Sequence, residues 1–189
     1  MSEDAANMSE MLELLEKYEE SEQWEKVISL CLRMLKSEPD DHYLLVSLSE
    51  AYSESRDYQK ALEASKRALS SAPWCPLAIW SYACDLDMTG RELEAIALWK
   101  KLLHWGEERL AFGACHEGIR WAKITLNESR YRIGLSYMDL SRYGLAVRYM
   151  ESHLNHRRRG LKSNFTKREV EKMLKRARGR RKTPGAESI

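Results

Sequence analysis

The first 89 residues contain no glycine, the whole chain of 189 holds only four prolines, and no stretch reaches eighteen consecutive apolar residues. Each scarcity excludes something. Loops that cradle phosphates need glycines so that backbone N–H groups can approach the ligand, and neither the Walker nor the dinucleotide fingerprint is present. A membrane-spanning helix needs about 20 apolar residues in a row. The opening MSEDAANMSE is acidic where a signal peptide would be basic and then apolar, so a soluble chain kept in the cytoplasm is expected. Four cysteines, Cys31, Cys75, Cys84 and Cys115, stand apart with no CxxC pair. That spacing announces neither a disulfide framework nor a cysteine-rich zinc site, and reduced thiols are expected. No set of acid, base, nucleophile or metal ligands converges, so the reading is non-catalytic, with no cofactor.

What the chain does have is helix-forming sequence in long uninterrupted runs: residues 1–38 and 40–72 contain neither breaker. It also has a period. Pro39 and Pro73 are 34 residues apart, and so are Tyr18 and Tyr52, Leu14 and Leu48, Val27 and Ala61, and Met34 and Ala68. A third unit keeps step through Tyr82, Leu86, Gly90, Ala95, Trp99 and Leu102, with Glu107 where the closing proline would stand. A fourth repeats the internal spacing as Ile133, Gly134, Tyr137, Ala146 and Met150, after an insertion of about half a period. Each unit reads as a helix, a short turn, a second helix and a stop. Neither helix of a pair can bury its apolar stripe alone, so the pairs must stack.

These residues resemble the tetratricopeptide repeat family, which carries large residues at repeat positions 4, 7, 11 and 24, small ones at 8, 20 and 27, and proline at 32. Repeat two follows it most fully, with Leu45, Leu48, Ser49, Tyr52, Ala61, Ala68 and Pro73; repeat one has Leu15 and repeat four has His153 where small residues are usual. The resemblance implies an all-α solenoid of about four helix pairs in a right-handed superhelix over residues 8–158. Repeats lie near 8–41, 42–75, 76–106 and 127–158, with the insertion within 107–126. It implies further that the first helix of each pair lines a concave face through positions 2, 5, 6, 9, 12 and 13. Those positions hold, among others, Leu12, Glu16, Tyr43, Glu50, Glu54, Trp80, Asp87, Met88 and Tyr131. An acidic, aromatic-lined groove of this kind suits a protein or peptide partner with basic or apolar anchors, in the manner of an adaptor or chaperone-like module. Solvated helix faces are also often rich in glutamate, and the aromatics could instead pack on a neighbouring helix; both alternatives stand at this stage.

In the insertion, Gly106 or Gly113 could close a helix. An irregular loop is expected around 112–118, followed by a lengthened first helix of the last pair. Trp105, Phe112 and Trp121 are expected to pack this segment against the neighbouring repeats. Cys115, His116 and Glu117 adjoin one another, but consecutive residues rarely point at one centre, and packing is the preferred reading over chemistry there.

Charge is distributed unevenly. Residues 1–126 carry 14 Lys/Arg against 23 Asp/Glu, whereas residues 127–189 carry 17 against 6. The excess is concentrated in residues 157–182, which hold 13 cations and two glutamates. Thr166–Glu169 matches a capping box, and Val170, Met173, Leu174 and Ala177 recur at helical spacing. A basic helix or tail over 159–182 follows, with residues 183–189 expected to be disordered. Three readings compete for it: a polar cap on the last repeat; a phosphate-binding element that makes the chain a nucleic-acid-associated protein, through Arg157, Arg158, Arg159, Lys175, Arg176 and Arg178; or an address or docking segment.

Overall fold

A computed structural model of the chain describes residues 3–113, 115–158, 160 and 163–181. Among the described residues there are nine α-helices and no strand: α1 (Glu3–Glu20), α2 (Trp24–Met34), α3 (His42–Glu54), α4 (Tyr58–Ser71), α5 (Pro76–Met88), α6 (Glu92–Phe112), α7 (Gly118–Asp139), α8 (Tyr143–Arg158) and α9 (Lys167–Arg181). None is long and apolar enough to cross a membrane. The chain divides between Thr89 and Gly90 into two compact units, α1–α5 and α6–α9.

In the first unit each helix packs on the next along the chain, and α3 also lies against α5. The starts are set locally. The Asp41 carboxylate accepts hydrogen bonds from the backbone N–H groups of Tyr43 (2.8 Å) and Leu44 (3.0 Å), satisfying two of the donors that a helix start leaves open. Pro76 opens α5 at a position where a missing N–H costs nothing. Bulky and small side chains share this core: Leu45, Leu48, Ile79 and Leu86 are buried, as are Ala61, Ala64, Ala68, Ala78 and Ala83. Cys31 is fully buried in this core, and burial, reinforced by nearby carboxylates, pushes its thiol up to about 12.

Within each pair the corner between the helices is the same. Glu22, Arg56, Gly90 and Ser141 occupy the fifteenth position of the four repeats, and all four are left-handed, with φ of 53°, 63°, 75° and 56°. In three of the four corners the next residue's N–H returns to the carbonyl five residues back: Gln23 to Tyr18 (2.9 Å), Asp57 to Tyr52 (2.8 Å) and Arg142 to Tyr137 (2.7 Å). This Schellman closure satisfies carbonyls that the helix end would leave bare. The recurring tyrosine serves twice, for its ring also receives a lysine: Lys26 Nζ lies 5.1 Å from the Tyr18 ring centre and Lys60 Nζ 5.4 Å from that of Tyr52.

The second unit is longer in its helices. α6 bends at Gly106, whose φ of 77° and ψ of −179° lie in a region that only glycine reaches without penalty. Trp105 is held there between cations, with the Arg109 guanidinium 3.9 Å and Lys101 Nζ 5.0 Å from its ring centre. Phe112 departs from the expected packing: it is 63% exposed, since α6 ends with its aromatic turned to water. α7 begins at Gly118 and packs on both α6 and α8. Gly134 is the small residue at the α7–α8 contact, where an added Cβ would meet Met150 Cγ at 2.8 Å and the Ala146 carbonyl oxygen at 3.4 Å. Lys100 Nζ donates to the Tyr137 hydroxyl (2.8 Å), joining α6 to α7. His153 is buried completely and donates from Nδ1 to the Asn127 carbonyl (2.8 Å); burial holds its pKa below the ordinary histidine value. α9 closes this unit on α8 by burying Val170, Leu174 and Ala177, and Thr166 and Glu169 form the reciprocal capping box at its start.

Two expectations follow. Left-handed backbone costs an ordinary residue about 1–2 kcal/mol, against a smaller entropic cost for glycine, so Arg56→Gly should raise stability by about 0.5–1 kcal/mol and Gly90→Ala should lower it by about 1 kcal/mol. Urea midpoints check both. At the α7–α8 contact, Gly134→Ala forces buried Met150 to shift from its Cγ outward and should itself destabilise, while Gly134→Val overpacks the interface further and should cost about 1–3 kcal/mol; thermal melts of the pair should separate them in that order.

Candidate functional site

The first helices of the pairs in the first unit, α1, α3 and α5, carry six of the seven residues expected to line a groove. Glu16, Tyr43, Glu50 and Glu54 are exposed, and Trp80 and Asp87 are half-buried. The large apolar side chains that these helices leave exposed are Leu12 on α1, Tyr43 on α3 and Met88 on α5. All three occupy positions that the repeat pattern assigns to one face, so carboxylates and apolar groups are interleaved there.

The electrostatics centre on a residue the sequence reading passed over. Asp85 on α5 is buried, and its carboxylate accepts hydrogen bonds from Ser49 Oγ (2.6 Å) and Ser53 Oγ (2.8 Å) of α3; Ser81 Oγ lies 3.1 Å from Ser49 Oγ. Hydroxyls thus stand where a cation would more commonly be found. Burial raises the Asp85 pKa above the usual carboxylate range, and the serine hydroxyls offset part of that rise. Glu50 lies nearby. Water reaches its side chain, yet surrounding protein raises its pKa, first by desolvation and then through the like charges of Glu19, Glu54 and Asp85. Among the described residues no lysine or arginine comes within salt-bridge distance of Glu16, Glu19, Glu50 or Glu54. The result is a patch of negative potential on the first unit, with which no described lysine or arginine pairs.

Tyr131 does not join this face. It belongs to the second unit, is 3% exposed, and packs with His153 (5.4 Å between ring centres) and Phe165 (4.6 Å). The segment leading into α9 folds back over it and is pinned by Asn164 N–H donating to the buried Glu128 carboxylate (2.6 Å). The cations expected to hold phosphate separate likewise. Arg157 is half-buried and donates to the Phe165 carbonyl. Arg178 pairs with Glu151 at 2.7 Å, while Lys175 and Arg176 are exposed on α9. The Arg158 side chain, Arg159 and residues 182–189 lie outside the described residues.

Solved structures share this architecture. A MamA double mutant, RS-1 ArsTM, superimposes with a TM-score of 0.68 at 13% identity, over 92% of this chain and 84% of that one. Another MamA crystal structure gives 0.60 at 14% identity, over 96% and 95% of the two chains. A tetratricopeptide repeat protein from Parabacteroides merdae gives 0.61 at 17% identity, over 90% of this chain and 60% of that one. No family model matches the sequence, and no curated protein is similar to it by sequence. At these identities the likeness is one of fold: the chain is a helical solenoid of the tetratricopeptide-repeat type.

The raised Glu50 pKa has a signed consequence. A carboxyl whose pKa is higher in the folded than in the unfolded state adds stability when protonated and loses that contribution as pH rises through its folded value. Glu50→Gln should therefore be more stable than the parent at pH 7, and the difference should shrink on acidification below the neutral range. Paired denaturation curves at stepped pH measure it.

Proposed function

We propose that the chain is a protein-binding module and that the face of α1, α3 and α5 takes an extended partner segment carrying lysine or arginine beside apolar anchors. The supporting observation is Glu50, an exposed carboxyl whose charged form is destabilised first by partial desolvation and then by Glu19, Glu54 and Asp85, with no lysine or arginine among the described residues at salt-bridge distance. An arriving ammonium or guanidinium would relieve that repulsion beside a carboxyl that the surrounding protein already desolvates in part. Leu12, Tyr43, Trp80 and Met88 offer apolar contact along the same helices, which fits a mode of binding in which a few anchors carry most of the energy and charge selects the partner. Asp85 acts indirectly, fixing α3 against α5 through its serine hydroxyls and adding its charge to the field.

A labelled peptide alternating arginine with leucine serves as a probe for fluorescence anisotropy against the full chain. Trp80→Ala should weaken it by about 1–3 kcal/mol, and the double variant Glu50→Gln with Glu54→Gln should weaken it most at low salt. Unaltered affinity in folded variants would place binding elsewhere.

A further inference from the structure

The cations of α9 are arranged about the helix in a way that composition alone does not reveal. Val170, Leu174 and Ala177 are buried toward α8, and Met173 is half-buried beside them. At 3.6 residues per turn, Arg168, Lys172, Lys175 and Arg176 fall within an arc of about 100° on the opposite side. All four are exposed. The two glutamates of the helix are engaged on its flanks: Glu169 accepts from the Thr166 N–H and hydroxyl, both at 2.7 Å, and Glu171 pairs with Lys167 at 3.6 Å. Arg178 lies between Glu171 and Lys167 around the helix and is turned to Glu151. The outward arc therefore contains four cations, no carboxylate and no apolar side chain.

We propose that this ridge docks the phosphodiester backbone of a nucleic acid. Four charges over nine residues, about 12 Å of helix axis, give a spacing comparable to the roughly 3.4 Å per charge along one DNA strand. A protein interface of ordinary kind needs an apolar centre to carry its energy, and the arc has none. A helix that lies in a membrane surface needs a free apolar face, and that of α9 is consumed by α8. A regular polyanion read through charge alone satisfies both constraints. Contact of this sort positions the chain without selecting a base sequence. It is independent of the groove on the first unit and uses none of its residues.

Anisotropy of the full chain with labelled single-stranded RNA, single-stranded DNA and a duplex of about 20 base pairs, titrated with KCl, tests the ridge. The expected result is binding at low salt that falls steeply as salt rises, with little dependence on base sequence. R168Q/K172Q/K175Q/R176Q, all at exposed positions, should lose about tenfold or more in affinity and show a shallower salt slope, with its helical circular dichroism unchanged. K26Q/R33Q/K36Q, which removes exposed cations from the first unit, should bind as the parent does. Absence of binding at low salt, or equal loss in both variants, would overturn the proposal. So would polyglutamate or phosphatidylserine vesicles binding more tightly than nucleic acid through the same four residues.

Discussion

The structure depends on one constraint: an amphipathic helix of a dozen or so residues cannot stand alone in water, and here no sheet or central core receives it. Within each unit a helix must lie on its chain neighbour, and that neighbour on the next. The small side chains follow from this requirement. Ala61, Ala95 and Ala146 occupy the same place in successive repeats and are buried completely, because a larger side chain there would hold two helices apart. Gly134 takes the requirement to its limit against Met150. The same logic explains α9. The last pair has no successor to cover it, and α9 supplies the missing surface with Val170, Leu174 and Ala177 while turning its cations to solvent.

A stacked array buries one side of its first helices in packing and leaves the other side free to vary. That freedom is where the charge has been placed. Glu16, Glu50 and Glu54 are exposed, and burial first, then nearby like charges, raises the Glu50 pKa. At the other end the balance reverses, with the glutamates of α9 drawn into a cap and an ion pair and its cations left outward. The two charged faces thus belong to different units and carry opposite signs.

Much of the fold was legible because the packing residues recur at a fixed interval. Tyr18, Tyr52 and Tyr137 mark the corner of their repeats in the sequence as they do in space. The handedness of those corners was not legible, since Glu22, Arg56 and Ser141 are residue types that seldom adopt positive φ, and Gly90 alone carried the signal. The charged face was partly legible: position within the repeat placed Glu50 and Tyr43 on the surface. Asp85 was missed because its partners, Ser49 and Ser53, lie 36 and 32 residues away and hydroxyls leave no charge pattern to read. Tyr131 was assigned to an open face because helical position carries no knowledge of a later segment, around Phe165, folding back over it.

The uniform corner has a bearing on how such a chain can change length. With the left-handed residue and its returning N–H fixed in register, adding or deleting one residue inside a hairpin would rotate the second helix by about 100° and turn its apolar stripe away from the array. No comparable lock governs the connection from one hairpin to the following one. The additional half-period of this chain falls in such a connection, between the corner at Gly90 and that at Ser141, where it is taken up by the bend at Gly106 and the early start of α7. Grafted elements and natural indels alike should survive at those junctions and be purged from the corners.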